Sequence, residues 1–452
     1  MGTAVVVRAD LLDTRLDHND PADRAITDRL YGGDEAYRLK QEIVLGVGGM
    51  RLLHALGFDI ETYHLNEGHA ALLAAGLLRE HPHPTDRPSD GALRYDADRV
   101  RDRCVFTTHT PVEAGHDRFD YEDAGRLLGD FLPLDQMKLL AGPDRLNMTR
   151  LALNLSGYVN GVALRHAETA RRMFPGYGIR AVTNGVHAPT WTHPAFARLF
   201  QEIAPDWGHD PEELSGADQL SDNAVWTAHQ EAKGDLLAEV QRLTGVAMRP
   251  DVPVIAFARR MTGYKRPDLL FMDLERLRAI NRGQPFQLVT AGKAHPRDEG
   301  GKALIAAIYA HMRSLAGDIP MAFLPNYDMA LAKTLVAGAD VWLNTPLPPY
   351  EASGTSGMKA ALNGVLNLSV LDGWWIEAWV EGVTGWAIGH DDQRHEDDAQ
   401  DLYDKLERTV LPLYHADRGR WIRMMKDSIS KIGPRFNSQR MMRRYASEAY
   451  LR

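Results

Sequence analysis

Short apolar runs alternate along the chain with longer stretches in which apolar residues recur every three or four positions. The second half shows this most cleanly. "VPVIAFA", "FQLVTAG", "IPMAFLP", "DVWLNTP" and "LNLSVLDG" are strand-length runs with little polar interruption. Between them "RPDLLFMDLERLRAIN", "GKALIAAIYAHMRSLAG", "DMALAKTLVAGA" and "GTSGMKAALNGV" carry helical spacing. Strands and helices in strict alternation predict an α/β fold with a parallel, doubly wound sheet. The first half repeats the rhythm less regularly. "DIETYHL" and "RCVFTTHT" predict strands around a helix, "EGHAALLAAGLLREH". "NMTRLALNLSGYVNGVALRHAETARRMF" reads as mostly helix, "GIRAVTNGVH" as a strand, and "AVWTAHQEAKGDLLAEVQRLTG" as a long helix stopped by Gly245. The opening "TAVVVRADLL" reads as a strand that has to pair with later ones. Two prolines in "MRPDVPV", just after a helix stop, predict a boundary near residue 248.

In such sheets ligands sit beyond the carboxyl ends of the strands, so the residues just after each strand are the informative ones. "ARRMTGYKRPD" crowds Arg259, Arg260, Lys265 and Arg266 into one turn, a pattern suited to an anion or to a solvated basic loop. "AGKAHPRDEGGK" puts Lys293 at the same level. "EASGTSGMKAALNG" places Thr355, Ser356 and Gly357 at a helix start, with Lys359 a turn further in among Met358, Ala360 and Leu362. Apolar surroundings lower a lysine's proton affinity, as an amine that condenses with a carbonyl requires; a lysine snorkelling to solvent is the simpler alternative. In the first half "HLNEGH", "TTHT" and "VTNGVH" bring Asn66, Glu67, His69, His109 and Asn184 to strand ends, as a hydrogen-bonding wall for a polyhydroxylated ligand would. "WWIEAW" supplies Trp374, Trp375 and Trp379, which read as core or as platforms for sugar faces.

Composition narrows the function classes. Apolar residues make up 44% and charged residues 25%, globular values, and the net charge of −9 argues against a nucleic-acid surface. The single cysteine, Cys104, excludes an internal disulfide and reads as a buried thiol in a reducing compartment. Apolar runs fall short of the about 18 residues of a membrane span, and the start has no signal-peptide pattern, so a cytoplasmic protein without membrane attachment is expected. The histidines lack zinc-type spacing, so no metal is expected, and neither a Walker loop nor a GxSxG elbow occurs.

Together the ordered motifs resemble the α-glucan (glycogen, starch or maltodextrin) phosphorylases, especially their shorter bacterial branch, from "RLYGGDEAYRLKQEIVLG" to "GPRFNSQRMMRRYA". The resemblance implies two Rossmann-like lobes facing a cleft, a glycosyltransferase architecture of the GT-B type. The lobes would span residues 1–248, a partial glucan-binding lobe, and 249–425, followed by a helical segment over 426–452. It implies pyridoxal 5′-phosphate carried on Lys359, with Tyr327, Arg259, Lys265, Thr355 and Ser356 as cofactor contacts. Arg260 and Lys265 fall on the pair that grips inorganic phosphate. Glu351 falls on the residue that binds sugar hydroxyls and supports the developing positive sugar, with Ser353 and Gly354 beside it. His109 and Asn184 fall on glucose-binding positions, and Asn66, Glu67 and His69 match the family's Asn-Asp-x-His run with Glu in place of Asp. The implied reaction is phosphorolysis of an α-1,4-glucan to α-D-glucose 1-phosphate with retention.

One departure from the family pattern shapes the expectation for the chain alone. Family members carry an N-terminal glycine-rich stretch whose N–H groups cover the phosphate, and "GVGGM" does not fit it. The chain therefore reads as truncated at the N-terminus and early at the C-terminus, weakly active or inactive alone, with a complementing N-terminal fragment or a homodimer as partner. Two alternatives stand beside it: a nucleotide-sugar-dependent glucan synthase, against which Lys359 at the eighth position after Glu351 argues, and a non-catalytic glucan-binding subunit.

Overall fold

The computed structural model describes residues 9–30, 33–83, 91–389 and 397–451. They form two compact units, Met1–Gly161 with Ala167–Arg180, and Val162–His166 with Ala181–Arg452. No helix of the described residues is long and apolar enough to cross a membrane.

In the first unit, strands β1 (Tyr63–Asn66), β2 (Cys104–Thr107) and β3 (Tyr158–Gly161) lie side by side in that order, all parallel. The helix Ala71–Arg79 is buried nearly all round and packs with Leu65, Phe106 and Leu151 in one core. "GVGGM" lies inside a continuous helical path: Glu35–Ile43 runs into a wider turn, Val44–Gly48, and then into Gly49–Ala55. Its glycine has a packing reason. A Cβ on Gly46 would come within 2.8 Å of the Leu73 backbone nitrogen, so the two helices meet there only without a side chain. Cys104 is fully buried, and burial pushes its thiol up to about 12.

One expectation differs from this structure, one holds in outline, and one falls largely outside the described residues. The stretch 147–174 is mostly helix as expected, but not one helical run. Helices Met148–Asn154 and Leu164–Met173 flank β3, whose four residues are all buried and too few to interrupt a helical period visibly. "GIRAVTNGVH" forms a strand only at Arg180–Ala181. Beyond it the backbone pairs elsewhere: Val186 N donates to Phe436 O at 3.0 Å, and Ser438 N donates to Val186 O at 2.9 Å. Of "TAVVVRADLL", residues 3–8 lie outside the described residues, and residues 9–12 are not in a strand.

In the second unit six parallel strands form one sheet: β4 (Val254–Ala258), β5 (Gln287–Ala291), β6 (Met321–Leu324), β7 (Val341–Asn344), β8 (Leu366–Val370) and β9 (Gly385–Ile388). Their order is β9-β8-β7-β4-β5-β6. Every strand residue is buried, which is why these runs are continuously apolar rather than alternating. The sequence reading missed β9, whose "GWAI" is only four residues long and follows a single short helical turn, Trp375–Ala378. The order reverses between β4 and β7, and at such a switch point the loops diverge and leave a crevice.

The chain divides by packing at residues 161–181, not near 248. The helix Asp222–Thr244, capped by Ser221 and ended by Gly245 at φ +74°, belongs to the second unit. Fully buried Lys233 reaches Asp340 Oδ2 at 2.7 Å, and buried His229 Nε2 lies 2.8 Å from Asp340 Oδ1. Asp340 also accepts the Val254 N–H at 2.7 Å, tying this helix to β4 and β7. The helices Arg418–Ile432 and Ser438–Tyr445 join the same unit.

Candidate functional site

Two loops meet at the switch point of the second sheet. β4 leads into "ARRMTGYK" and β7 into the segment that carries Glu351. Glu351 Oε2 sits between two cations, 2.7 Å from Arg259 Nη2 and 2.6 Å from Lys265 Nζ. All three side chains are about nine-tenths buried. Burial opposes the Glu351 charge, yet Arg259 and Lys265 hold its carboxyl below the usual range. Burial, reinforced by Arg259, brings the Lys265 amine down to about 8 against the pull of Glu351. Thr345 Oγ1 donates to the carbonyls of Lys265 and Arg266 at 3.0 and 2.9 Å and so fixes the turn.

The cations are not exhausted by this carboxylate. Nε and Nη1 of Arg259, with Oγ of Ser353 and of Thr262, are buried without a hydrogen-bond partner among the described residues. Unsatisfied buried donors of this kind cost free energy unless an acceptor arrives. Arg260, expected beside Lys265, is instead exposed, just past the strand end, while the Arg259 side chain before it is about nine-tenths buried. Arg266 also turns away, to the carbonyls of Thr345 and Pro346 and to Asp398.

The Glu351 segment is braced by a residue the sequence reading did not single out. Asp372, just after β8, accepts the N–H of Glu351 and of Gly373, each at 2.8 Å, and burial pushes its carboxyl up to about 7. Trp374 N donates to Ser353 O at 2.9 Å. Gly354, at φ +84°, turns the chain into the helix Thr355–Ala361, as the glycine-rich spelling predicts. Ser356 Oγ accepts from Trp342 Nε1 at 3.1 Å. Lys359 is half-buried, its amine 3.8 Å from the centre of the Trp191 ring, and burial lowers its pKa. Trp191 was also missed, because only folding brings it to the lysine. Tyr327, after β6, is half-buried; burial raises its hydroxyl pKa while Arg259 pulls the other way. Trp374 and Trp375 are core residues, whereas Trp379 is part-exposed.

Asn184 lies in the second unit, on a loop fixed from several sides. Arg440 donates to the carbonyls of Thr183 and Asn184 at 2.9 and 3.2 Å, and Glu377 accepts from Thr183 Oγ1 at 2.8 Å.

The remaining candidates cluster in the first unit. Glu67, at the end of β1, has φ +67° and ψ 169°, a strained conformation for a residue with a side chain. Its carboxylate accepts from Gly68 N at 3.0 Å, His109 N at 2.7 Å and Thr110 Oγ1 at 2.9 Å. Glu67 thus spends its oxygens on the loop that carries His109. Asn66 is exposed beside it. His69 Nδ1 lies 3.0 Å from Asp117 Oδ2 and 2.7 Å from Arg38 Nη2, with buried Glu42 adjoining. Burial works against a charged His69, but the hydrogen bonds of Asp117 and Glu42 leave it at about 9. Donor atoms of Glu42, His69 and Asp117 fall within 4.8 Å of one another, a spacing a metal could use. Arg38 already lies 3.2 Å from Glu42 and 3.1 Å from Asp117 and serves as the cation of this cluster.

A parallel α/β unit with a cation-lined switch point and a half-buried lysine one turn into a glycine-entered helix defines a class: doubly wound proteins whose ligands sit beyond the ends of their strands. The comparisons make this specific. Residues 116–385 match the carbohydrate phosphorylase family model, and the chain belongs to that family. It is 40% identical to the maltodextrin phosphorylase of Thermococcus litoralis, over 98% of this chain and 57% of that protein. It is 38% identical to the glycogen phosphorylase of Mycobacterium tuberculosis, over 97% of this chain and 57% of the relative. The glycogen phosphorylase of Aquifex aeolicus is 37% identical, over 97% of this chain and 70% of its own length. The chain thus spans little more than half the length of the first two.

Proposed function

We propose that the chain is the phosphate- and cofactor-holding part of an α-glucan phosphorylase, releasing α-D-glucose 1-phosphate from an α-1,4-glucan and inorganic phosphate. The observation that carries the reading is the cation pair at the switch point. Arg259 and Lys265 flank one carboxylate while two guanidinium nitrogens stay open for an anion. Pyridoxal 5′-phosphate fits the residues present. Lys359 supplies an amine of lowered proton affinity against an aromatic face, and Arg259 supplies unsatisfied donors for a phosphate. Tyr327, Thr355 and Ser356 complete the proposed cofactor contacts. Bound there, the cofactor would supply an acidic phosphate group beside the substrate phosphate.

The chain's own residues have three tasks in this reading. Lys265, with Arg260 from the exposed side of the turn, holds the substrate phosphate, whose charge stabilises a sugar that becomes positive as the glycosidic bond breaks. Glu351 turns to the sugar once the phosphate takes its cations, with Ser353 and Gly354 alongside. Asn184, His109, Asn66 and His69 bind sugar hydroxyls, and Glu67 keeps the His109 loop in place. The test is an assay for α-D-glucose 1-phosphate from maltoheptaose and phosphate. The cofactor-loaded chain is used alone and mixed with the N-terminal part of a full-length relative. Product in either arm supports the proposal. No product in both arms, or turnover that requires a nucleotide-sugar, contradicts it.

A further inference from the structure

We infer that Glu351 is an internal competing anion that makes the Arg259–Lys265 pair select doubly charged oxyanions over singly charged ones. This role is separate from any contact Glu351 makes with a sugar, and it rests on the reading of the pair as a site for phosphate groups, the cofactor's at Arg259 and the substrate's at Lys265.

The argument begins with charge. Arg259 and Lys265 together carry two positive charges, and Glu351 Oε2, at 2.7 and 2.6 Å, returns one of them. The carboxylate is not a visitor. Its backbone N–H is held by Asp372 at 2.8 Å, and the next turn is fixed by Trp374 N on Ser353 O at 2.9 Å. A tethered group competes at an effective concentration of order millimolar or above, far beyond an adventitious ion. An incoming monoanion therefore exchanges one charge for an equal charge and leaves a nine-tenths-buried carboxylate without its partners. That exchange gains nothing and costs the desolvation of the displaced group. A dianion brings one charge more than it displaces. It also has oxygens for Arg259 Nε and Nη1, which Glu351 leaves unsatisfied.

Geometry supports displacement over simple addition. Glu351 contacts both cations through the same oxygen, Oε2, so one rotation of its side chain frees Arg259 and Lys265 together. The Ser353 hydroxyl, buried and unpartnered two residues on, offers a donor within the same segment. The loop itself need not move.

The test titrates the full 452-residue chain by calorimetry at constant ionic strength. Sulfate is the dianion probe and nitrate the monoanion probe. The wild-type chain should prefer sulfate to nitrate by about tenfold or more. In Glu351→Gln, which keeps the shape and removes the charge, nitrate should bind about tenfold more tightly and the preference should shrink to about threefold or less. Should Glu351→Gln lose the native circular dichroism, Glu351→Asp draws the carboxylate back by one methylene and should narrow the preference in the same direction. Lys265→Met separates the two levels of the proposal. If it abolishes sulfate binding while the Glu351 variants keep wild-type discrimination, the selector role is overturned and the phosphate site stands. If sulfate binding is absent, or indifferent to Lys265→Met, the phosphate site itself is wrong and the selector role falls with it.

Discussion

Buried charge in the second unit is concentrated on a few carboxylates, each held by named partners. Glu351 faces two cations, and Asp340 faces Lys233 and His229 with essentially no exposure. The Asp340 cluster sits at the opposite end of the sheet from the switch-point loops, before β7, and its work is to fix the helix Asp222–Thr244. Burial alone would raise the Asp340 pKa, but the Lys233 charge and the His229 hydrogen bond lower it below the ordinary aspartate value. A depressed folded-state pKa stabilises the fold above the unfolded value, about 3.9, and that stability is lost as pH falls through the folded-state value. Asp340→Asn strands the Lys233 charge in the core and should cost about 3–5 kcal/mol at neutral pH. Urea unfolding followed by tryptophan fluorescence should show this loss, and the variant's stability should fall less steeply than wild type as pH drops from about 5 toward about 2. An unchanged midpoint at neutral pH would show that the pair contributes nothing.

Elements were legible where periodicity was long and local. The strands around "VIAFA", "LVTA" and "VWLN", the helix opening at Thr355 and the stop at Gly245 all lie where the pattern puts them. The four-residue strands Tyr158–Gly161 and Gly385–Ile388 were not legible, because neither is long enough to break the surrounding rhythm. Site residues divide on the same physical line. Lys359, Lys265 and Glu351 announce themselves through glycine-rich or basic strand ends. Trp191 reaches the site only through a contact distant in sequence, and nothing near it signals that role, whereas Asp372 stands at a strand end, in "SVLDG", where the strand-end rule points, but its bond to the Glu351 N–H is visible only in the fold. The pairing of residues 184–186 with 436–438 is another such contact, and it yields a sharp expectation. A Cβ on Gly185 would lie 2.0 Å from the Asn437 carbonyl oxygen, a backbone atom with no rotamer to give way. Gly185→Ala should therefore force the two segments apart at a cost of about 1–3 kcal/mol or more. It should also weaken maltooligosaccharide binding through Asn184. Thermal unfolding together with an affinity measurement checks both. A variant as stable as wild type would mean that the approach is looser than the structure has it.

At the scale of the molecule, the two units carry different parts of the proposed chemistry. The first holds Asn66, Glu67, His69 and His109 at the ends of a parallel sheet. The second holds the Arg259–Lys265–Glu351 group at its own switch point, Tyr327 after its edge strand, Lys359 in the helix that follows Gly354, and Asn184 on a separate loop. Family membership rests on the whole chain, whereas the cofactor claim rests on one amine. Lys359 is the half-buried lysine one turn into the glycine-entered helix, lowered in pKa by burial and stacked on Trp191. The direct measurement is to incubate the chain with pyridoxal 5′-phosphate, reduce with borohydride, digest and map the modified peptide by mass spectrometry. The account predicts one dominant pyridoxyl label, on Lys359, lost in Lys359→Ala. A dominant label on another lysine, or labelling no stronger than that of the unfolded chain, would contradict it.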